Sequence, residues 1–195
     1  MMSEPGNYEG IDTVVLNDEL ACHDVLPVSW QALDTLPAPF RLAGIDESNT
    51  LLLQACVAME EHPMRDKNEE LGPLAAELAR LDFKLNVVLQ LLGRLVTRDQ
   101  SVPAVNVTFN AQGASWTPAG PLPGIERGKL GLLRIQLRSS LPQPLEIPAE
   151  VLAVQQDEVK VAFVHVAESA TELLQRLAFL RHRRYVAEAR KSRGR

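Results

Sequence analysis

The sequence is short of aromatic residues, at 5%, and has only two cysteines, Cys22 and Cys56. Two cysteines in different predicted elements, with no metal-ligand spacing, exclude a disulfide scaffold and a zinc site. They predict two buried thiols in a reducing compartment. No apolar run approaches the ~20 residues of a membrane span. The richest region, Leu85–Val96, is interrupted by Asn86, Gln90 and Arg94. Met1–Gly10 is polar and acidic, with no basic stretch leading into an apolar one, so we read no secretory signal and expect a cytoplasmic protein. The formal net charge of −5 argues against nucleic acid as a partner by bulk electrostatics. No phosphate-cradling glycine loop is present. The four histidines, His23, His62, His165 and His182, are scattered. Cys22, His23 and Asp24 are adjacent, but neighbours on a strand point to opposite faces and assemble no nucleophile. We therefore expect no enzyme, no catalytic residue, no metal and no cofactor.

What remains is a chain of 195 residues, 46% of them hydrophobic, enough for one embellished domain or two small ones with a real core. Three segments differ in character. Residues 1–45 supply short extended pieces, Thr13–Leu16 and Val25–Trp30, the second interrupted by Pro27, and then a proline-marked linker, Leu36–Gly44. Residues 46–100 have a helical pattern. Asp46 or Ser48 can cap its start, Pro63 ends or kinks the first helix, and Pro73 fits the first turn of a second. Residues 101–195 return to strands. Val105, Val107 and Phe109 alternate with Asn106, Thr108 and Asn110, as in a half-buried strand. Ala114–Trp116, the alternation of Leu133, Ile135 and Leu137, Ile147–Val154 and Val159–Val166 complete a small all-β unit. A final helix opens with the capping-box spacing of Ser169 and Glu172 and carries Leu173, Leu174, Leu177 and Leu180 on one stripe.

The most specific periodicity lies in the second helix of the middle segment. Leu71, Leu78, Leu85 and Leu92 recur every seven residues, and Leu74, Leu81, Val88 and Leu95 repeat three positions later. A repeat of 3.5 residues per turn keeps one seam facing a partner helix, which predicts a left-handed coiled coil. Leu89, Leu91 and Val96 widen the apolar stripe, and leucine at every a position does not select dimers. We expect a homo-oligomer with more than two helices around the axis. A tetramer is favoured over a dimer of two-helix hairpins in which Leu53, Val57 and Met64 join the seam.

From Val105 to Arg190 the order of elements resembles the PilZ domain family. The resemblance rests on a strand and glycine turn, then Gly128–Leu137, Glu150-Val151-Leu152, Val159–Phe163, and a Leu/Arg-rich helix from Glu172. It implies an α+β chain: a small six-stranded PilZ-like β-barrel with long coiled-coil helices inserted after an early strand, and a C-terminal helix. Known members bind cyclic di-GMP through an Arg-xxx-Arg and an Asp/Asn-x-Ser-x-x-Gly turn, where guanidinium forks grip phosphates. Carried onto this chain, the turn is Thr108, Asn110 and Gly113, keeping the glycine but neither polar residue of the pattern. The arginine pair falls on Arg94 and Arg98, inside the heptad helix.

These departures lead us to expect a signalling or scaffold protein that acts through protein contacts with an unidentified partner, in motility, pilus or virulence regulation. Cyclic di-GMP would not bind in the usual way. A receptor with an unorthodox site is the alternative. The C-terminal arginines, Arg176, Arg181, Arg183, Arg184, Arg190, Arg193 and Arg195, are read first as complementing the helix dipole and solvating its face. Arg183, Arg184 and Arg190 are the next place for a phosphate-rich ligand, or for nucleic acid.

Overall fold

The computed structural model describes residues 21–61, 102–155 and 158–193, with nine further positions between 77 and 91. Six strands close into one barrel: β1 (Cys22–Leu33), β2 (Ala104–Phe109), β3 (Gly113–Trp116), β4 (Leu130–Ile135), β5 (Leu145–Gln155) and β6 (Glu158–Phe163). Their order around the barrel is β1-β2-β3-β6-β5-β4, and every neighbouring pair is antiparallel. Helices α1 (Pro39–Glu61) and α2 (Glu168–Arg193) complete the described fold.

Closure depends on β1. Its first half pairs with β2, from Cys22↔Phe109 to Pro27↔Ala104, and its second half with β4, from Val28↔Ile135 to Leu33↔Leu130. The strand is not interrupted at Pro27, contrary to the sequence expectation. Pro27 sits where the partner changes, so its missing N–H interrupts neither ladder, and its carbonyl accepts from the Gln136 amide at 3.0 Å. The candidate strand Thr13–Leu16 lies outside the described residues.

The alternation in β2 does what its period requires. Val107 and Phe109 are buried, while Asn106 is exposed and Thr108 partly so. Leu133, Ile135, Leu145, Ile147, Val151, Val159 and Val161 fill the same core. Strand β6 ends at Phe163, earlier than the sequence pattern implied, where the chain turns toward α2. Trp30 and Trp116 approach at 6.3 Å between ring centroids. Gly131 lies under the Trp30 ring, where any Cβ would collide with it.

Helix α1 starts seven residues before Asp46, so neither Asp46 nor Ser48 is its cap, and most of the supposed linker is helical. The carbonyl of Ala38 accepts from Arg41 and Leu42, which makes Ala38 the capping residue. Pro39 follows at the first helical position, where a proline costs no hydrogen bond. Ile45, Asn49, Leu52, Leu53, Cys56, Val57 and Glu60 form the buried face, spaced as an amphipathic stripe requires. Asn49 clips this face to the barrel. Its Nδ2 donates to the Glu146 carbonyl at 2.6 Å and its Oδ1 accepts from the Glu146 amide at 3.0 Å. Leu53 and Val57 are thus spent inside the protomer, and the hairpin arrangement that drew them into the seam is corrected. The helical segment 46–100 is not uniform, since Asp46–Glu61 packs with the barrel.

Helix α2 begins at Glu168, with the Ala167 carbonyl accepting from Thr171. Ser169 is already inside the helix, and its hydroxyl meets that of Thr50 at 3.2 Å instead of forming the expected capping box. Ala170, Leu174, Leu177 and Ala178 carry the buried stripe.

Candidate functional site

The β2–β3 turn is built to close on itself. Asn110 is buried, and its Oδ1 accepts from the amides of Gln112 at 2.8 Å and Gly113 at 3.0 Å, while its own amide donates to the Gly113 carbonyl at 3.0 Å. This is the local side-chain turn that asparagine forms well. The side chain that the family pattern assigns to ligand is therefore committed to the backbone. Asn110→Ala should lower stability by about 1–2 kcal/mol, because two amides lose their acceptor. Urea unfolding checks this.

Thr108 stands two residues before Asn110, and its Oγ1 lies 2.9 Å from Nδ1 of His23, the residue opposite it on β1. Beside them is a shallow cavity of about 370 Å³, with Asn106, Thr108 and Ser115 on its wall. Among the described residues its lining has no lysine or arginine, but includes Asp24 and Glu158. That charge is wrong for a doubly anionic ligand. Arg94 and Arg98 lie outside the described residues.

A second constellation joins Arg184, one of the arginines the sequence offered to a phosphate-rich ligand, with Glu60 and Arg138, which it did not single out. Glu60, in the last turn of α1, has a side chain only 3% exposed. Arg138 Nη2 donates to its Oε1 at 2.5 Å, Arg184 Nη2 lies 2.7 Å from Oε2, and Arg181 Nε 3.4 Å from Oε1. Arg181 also donates to Asp24 at 2.9 Å and to the Leu137 carbonyl at 3.2 Å. Glu61 accepts from Arg176. A glutamate at a helix C-terminus opposes the macrodipole, and these arginines offset that cost. The sequence did hold one signal: Glu60 is a charged residue at a position of the α1 stripe where Leu53, Cys56 and Val57 predict burial. Arg183 is exposed and belongs to none of these pairs. The Arg190 side chain lies outside what is described.

Cys22 and Cys56 are free thiols in the same core. Burial pushes both thiols above the ordinary cysteine range, with nearby Arg181 working against it. Burial of this kind favours the protonated thiol over the reactive thiolate.

The third feature is the seam. The described positions between 77 and 91 are helical and exposed. Leu78 is 58% exposed, Leu81 52%, Leu85 57% and Val88 50%. Leu91 and Val87 are exposed alongside them. Leu71, Leu74, Leu92 and Leu95 lie outside the described residues. A ladder of large apolar side chains at heptad spacing is thus left uncovered by its own barrel.

Residues 53–191 match the family model described as atypical PilZ domain, cyclic di-GMP receptor. The chain belongs to this atypical PilZ family. The match reaches back to residue 53, inside α1, and so spans the helical region as well as five of the six strands. It starts after β1, which nonetheless completes the barrel. The family is one of receptors, not of enzymes. A similar solved structure comes from Xanthomonas campestris, a pathogenic protein described as a new tetrameric PilZ domain self-assembled via an unusual helical bundle. The likeness covers 93% of this chain and 98% of that one, with a TM-score of 0.69 and 26% sequence identity. No curated protein matches the chain. No helix among the described residues is long and apolar enough to cross a membrane.

Proposed function

We propose that this atypical PilZ protein is a non-enzymatic signalling adaptor. It assembles through the helix carrying Leu78, Leu81, Leu85 and Val88, and presents its barrels to a partner protein. The observation that carries this reading is the exposure of that seam. Leucines left half-exposed or more at a, d and neighbouring positions have no reason to be there unless another helix covers them. The tetrameric Xanthomonas relative supports four chains around the axis, and the apolar Leu89 and Leu91 flanks favour a bundle over a two-stranded coil. A cytoplasmic location and a role in motility, pilus or virulence regulation belong to the same reading.

Within it, the β2–β3 face does not bind cyclic di-GMP in the family's usual manner. Asn110 is occupied by its own turn, and the charged residues on the adjoining cavity's lining are Asp24 and Glu158. Calorimetric titration of the full chain with cyclic di-GMP should give no saturable heat that Thr108→Ala alters. Micromolar binding lost in Thr108→Ala would overturn this and make the protein a receptor at that face. The receptor reading is favoured by the description of the family itself.

A further inference from the structure

Next to the β2–β3 face, and sharing His23 and Asp24 with it, is a cleft of about 330 Å³ whose wall includes Glu60, Arg138, Arg181 and Arg184. That size is in the range of small-molecule pockets. Three guanidiniums face two carboxylates there, so the lining is net positive while its neighbour is net negative.

The donors are unequally used. Arg181 is consumed by Asp24, Glu60 and the Leu137 carbonyl, and is only 12% exposed. It is a structural rivet between α2 and the barrel. Arg138 gives Nη2 to Glu60, yet its Nε is buried with no acceptor among the described residues. Arg184 touches Glu60 through Nη2 and remains 44% exposed, with donors toward solvent. All three guanidiniums thus crowd one carboxylate, Arg138 and Arg181 at Oε1 and Arg184 beside Oε2, while Arg138 Nε finds no acceptor among the described residues. Guanidinium forks in that state are matched by an oxyanion with three or more acceptor oxygens.

We propose that this cleft is an anion site for a small phosphoryl-bearing ligand, gripped by Arg138 and Arg184, with Glu60 as the resident counter-ion it competes with. The site is built from α1, the segment after β4, and α2. It shares His23 and Asp24 with the Thr108 face, but its arginines do not line that face, and it does not depend on whether the seam assembles.

The test uses the full chain, with inorganic pyrophosphate as the probe at constant ionic strength, read by calorimetry and thermal shift. Saturable binding is expected, and Arg184→Gln should weaken it about tenfold, the loss of one charge-assisted contact. Glu60→Gln should move affinity the other way, about tenfold tighter, because it releases Arg138 and Arg184 from their competitor. A purely structural ion cluster predicts no such gain. Glu60→Gln should also lose thermal stability that pyrophosphate restores and chloride does not. Absence of saturable binding to the wild-type chain overturns the site, and so does binding indifferent to Arg184→Gln, a substitution at a half-exposed position that leaves the core untouched. Cyclic di-GMP is the second arm. Binding lost in Arg184→Gln but kept in Thr108→Ala would place a phosphodiester ligand here. Binding lost only in Thr108→Ala would put the nucleotide on the other face and count against this one.

Discussion

Replacing Leu85 by aspartate should convert the proposed assembly into single chains. On the protomer this leucine is 57% exposed, so in the proposed assembly its burial is gained between chains and not within the barrel. Covering a leucine side chain contributes about 1.5–3 kcal/mol. A carboxylate in the same place adds a desolvation penalty of several kcal/mol for each chain. In a symmetric bundle the like charges also meet one another at the axis. These terms add in the same direction, and together they exceed what the remaining seam positions can hold at micromolar protein. Light scattering should show the mass fall to that of one chain. Near-ultraviolet circular dichroism, dominated by Trp30 and Trp116, should stay unchanged because neither ring lies near the seam helix in sequence or belongs to its heptads. Leu85→Met, which keeps volume and hydrophobicity, should keep the mass. A monomeric wild type, or an undiminished mass for the aspartate variant, would remove the assembly from the proposed function.

The second large effect concerns the barrel. Gly131→Ala should destabilise the fold by about 3 kcal/mol, the upper part of the usual cost of overpacking. The reason is local. A methyl group at 131 would overlap the six-membered ring of Trp30, a ring that also packs near Trp116, at 6.3 Å between centroids. The backbone cannot yield easily, since Gly131 is paired on both edges, with Ala32 on β1 and Ala149 on β5. If the clash with Trp30 is the whole cause, the cost should fall below about 1 kcal/mol in a Trp30→Leu background, where the added methyl meets a smaller side chain. Denaturant titration of the four proteins closes this cycle. An unchanged cost in that background would mean that Gly131 is required for its backbone instead.

Much of the barrel was legible from local pattern. The period-two alternation of Val105, Val107 and Phe109 named β2 and its buried face, because successive strand residues must point to opposite sides. The extended pieces before and after the helices located β1, β3, β4, β5 and β6 to within a few residues. The helix starts were misread for one shared reason. Asp46, Ser48 and Ser169 have side chains suited to capping, but Ala38 and Ala167 hold the capping positions through main-chain carbonyls that no sequence rule flags. Their side chains went instead to tertiary partners, Asp46 to His165 and Ser169 to Thr50.

The candidate sites divide the same way. By itself the sequence determined the heptad ladder, since a seven-residue repeat is a property of spacing along one helix and needs no knowledge of the rest. It also determined that the ligand motif is degenerate, since Thr108 and Asn110 are simply the wrong residues for the pattern. Only the tertiary structure decided that Leu53 and Val57 serve the barrel while Leu78 and Leu85 face outward, because identical leucines acquire different roles from what packs against them. Only it brought Glu60, Arg138, Arg181 and Arg184 around one carboxylate. Charges 78 to 124 positions apart in sequence interact through distance in space, and chain order carries no record of that distance.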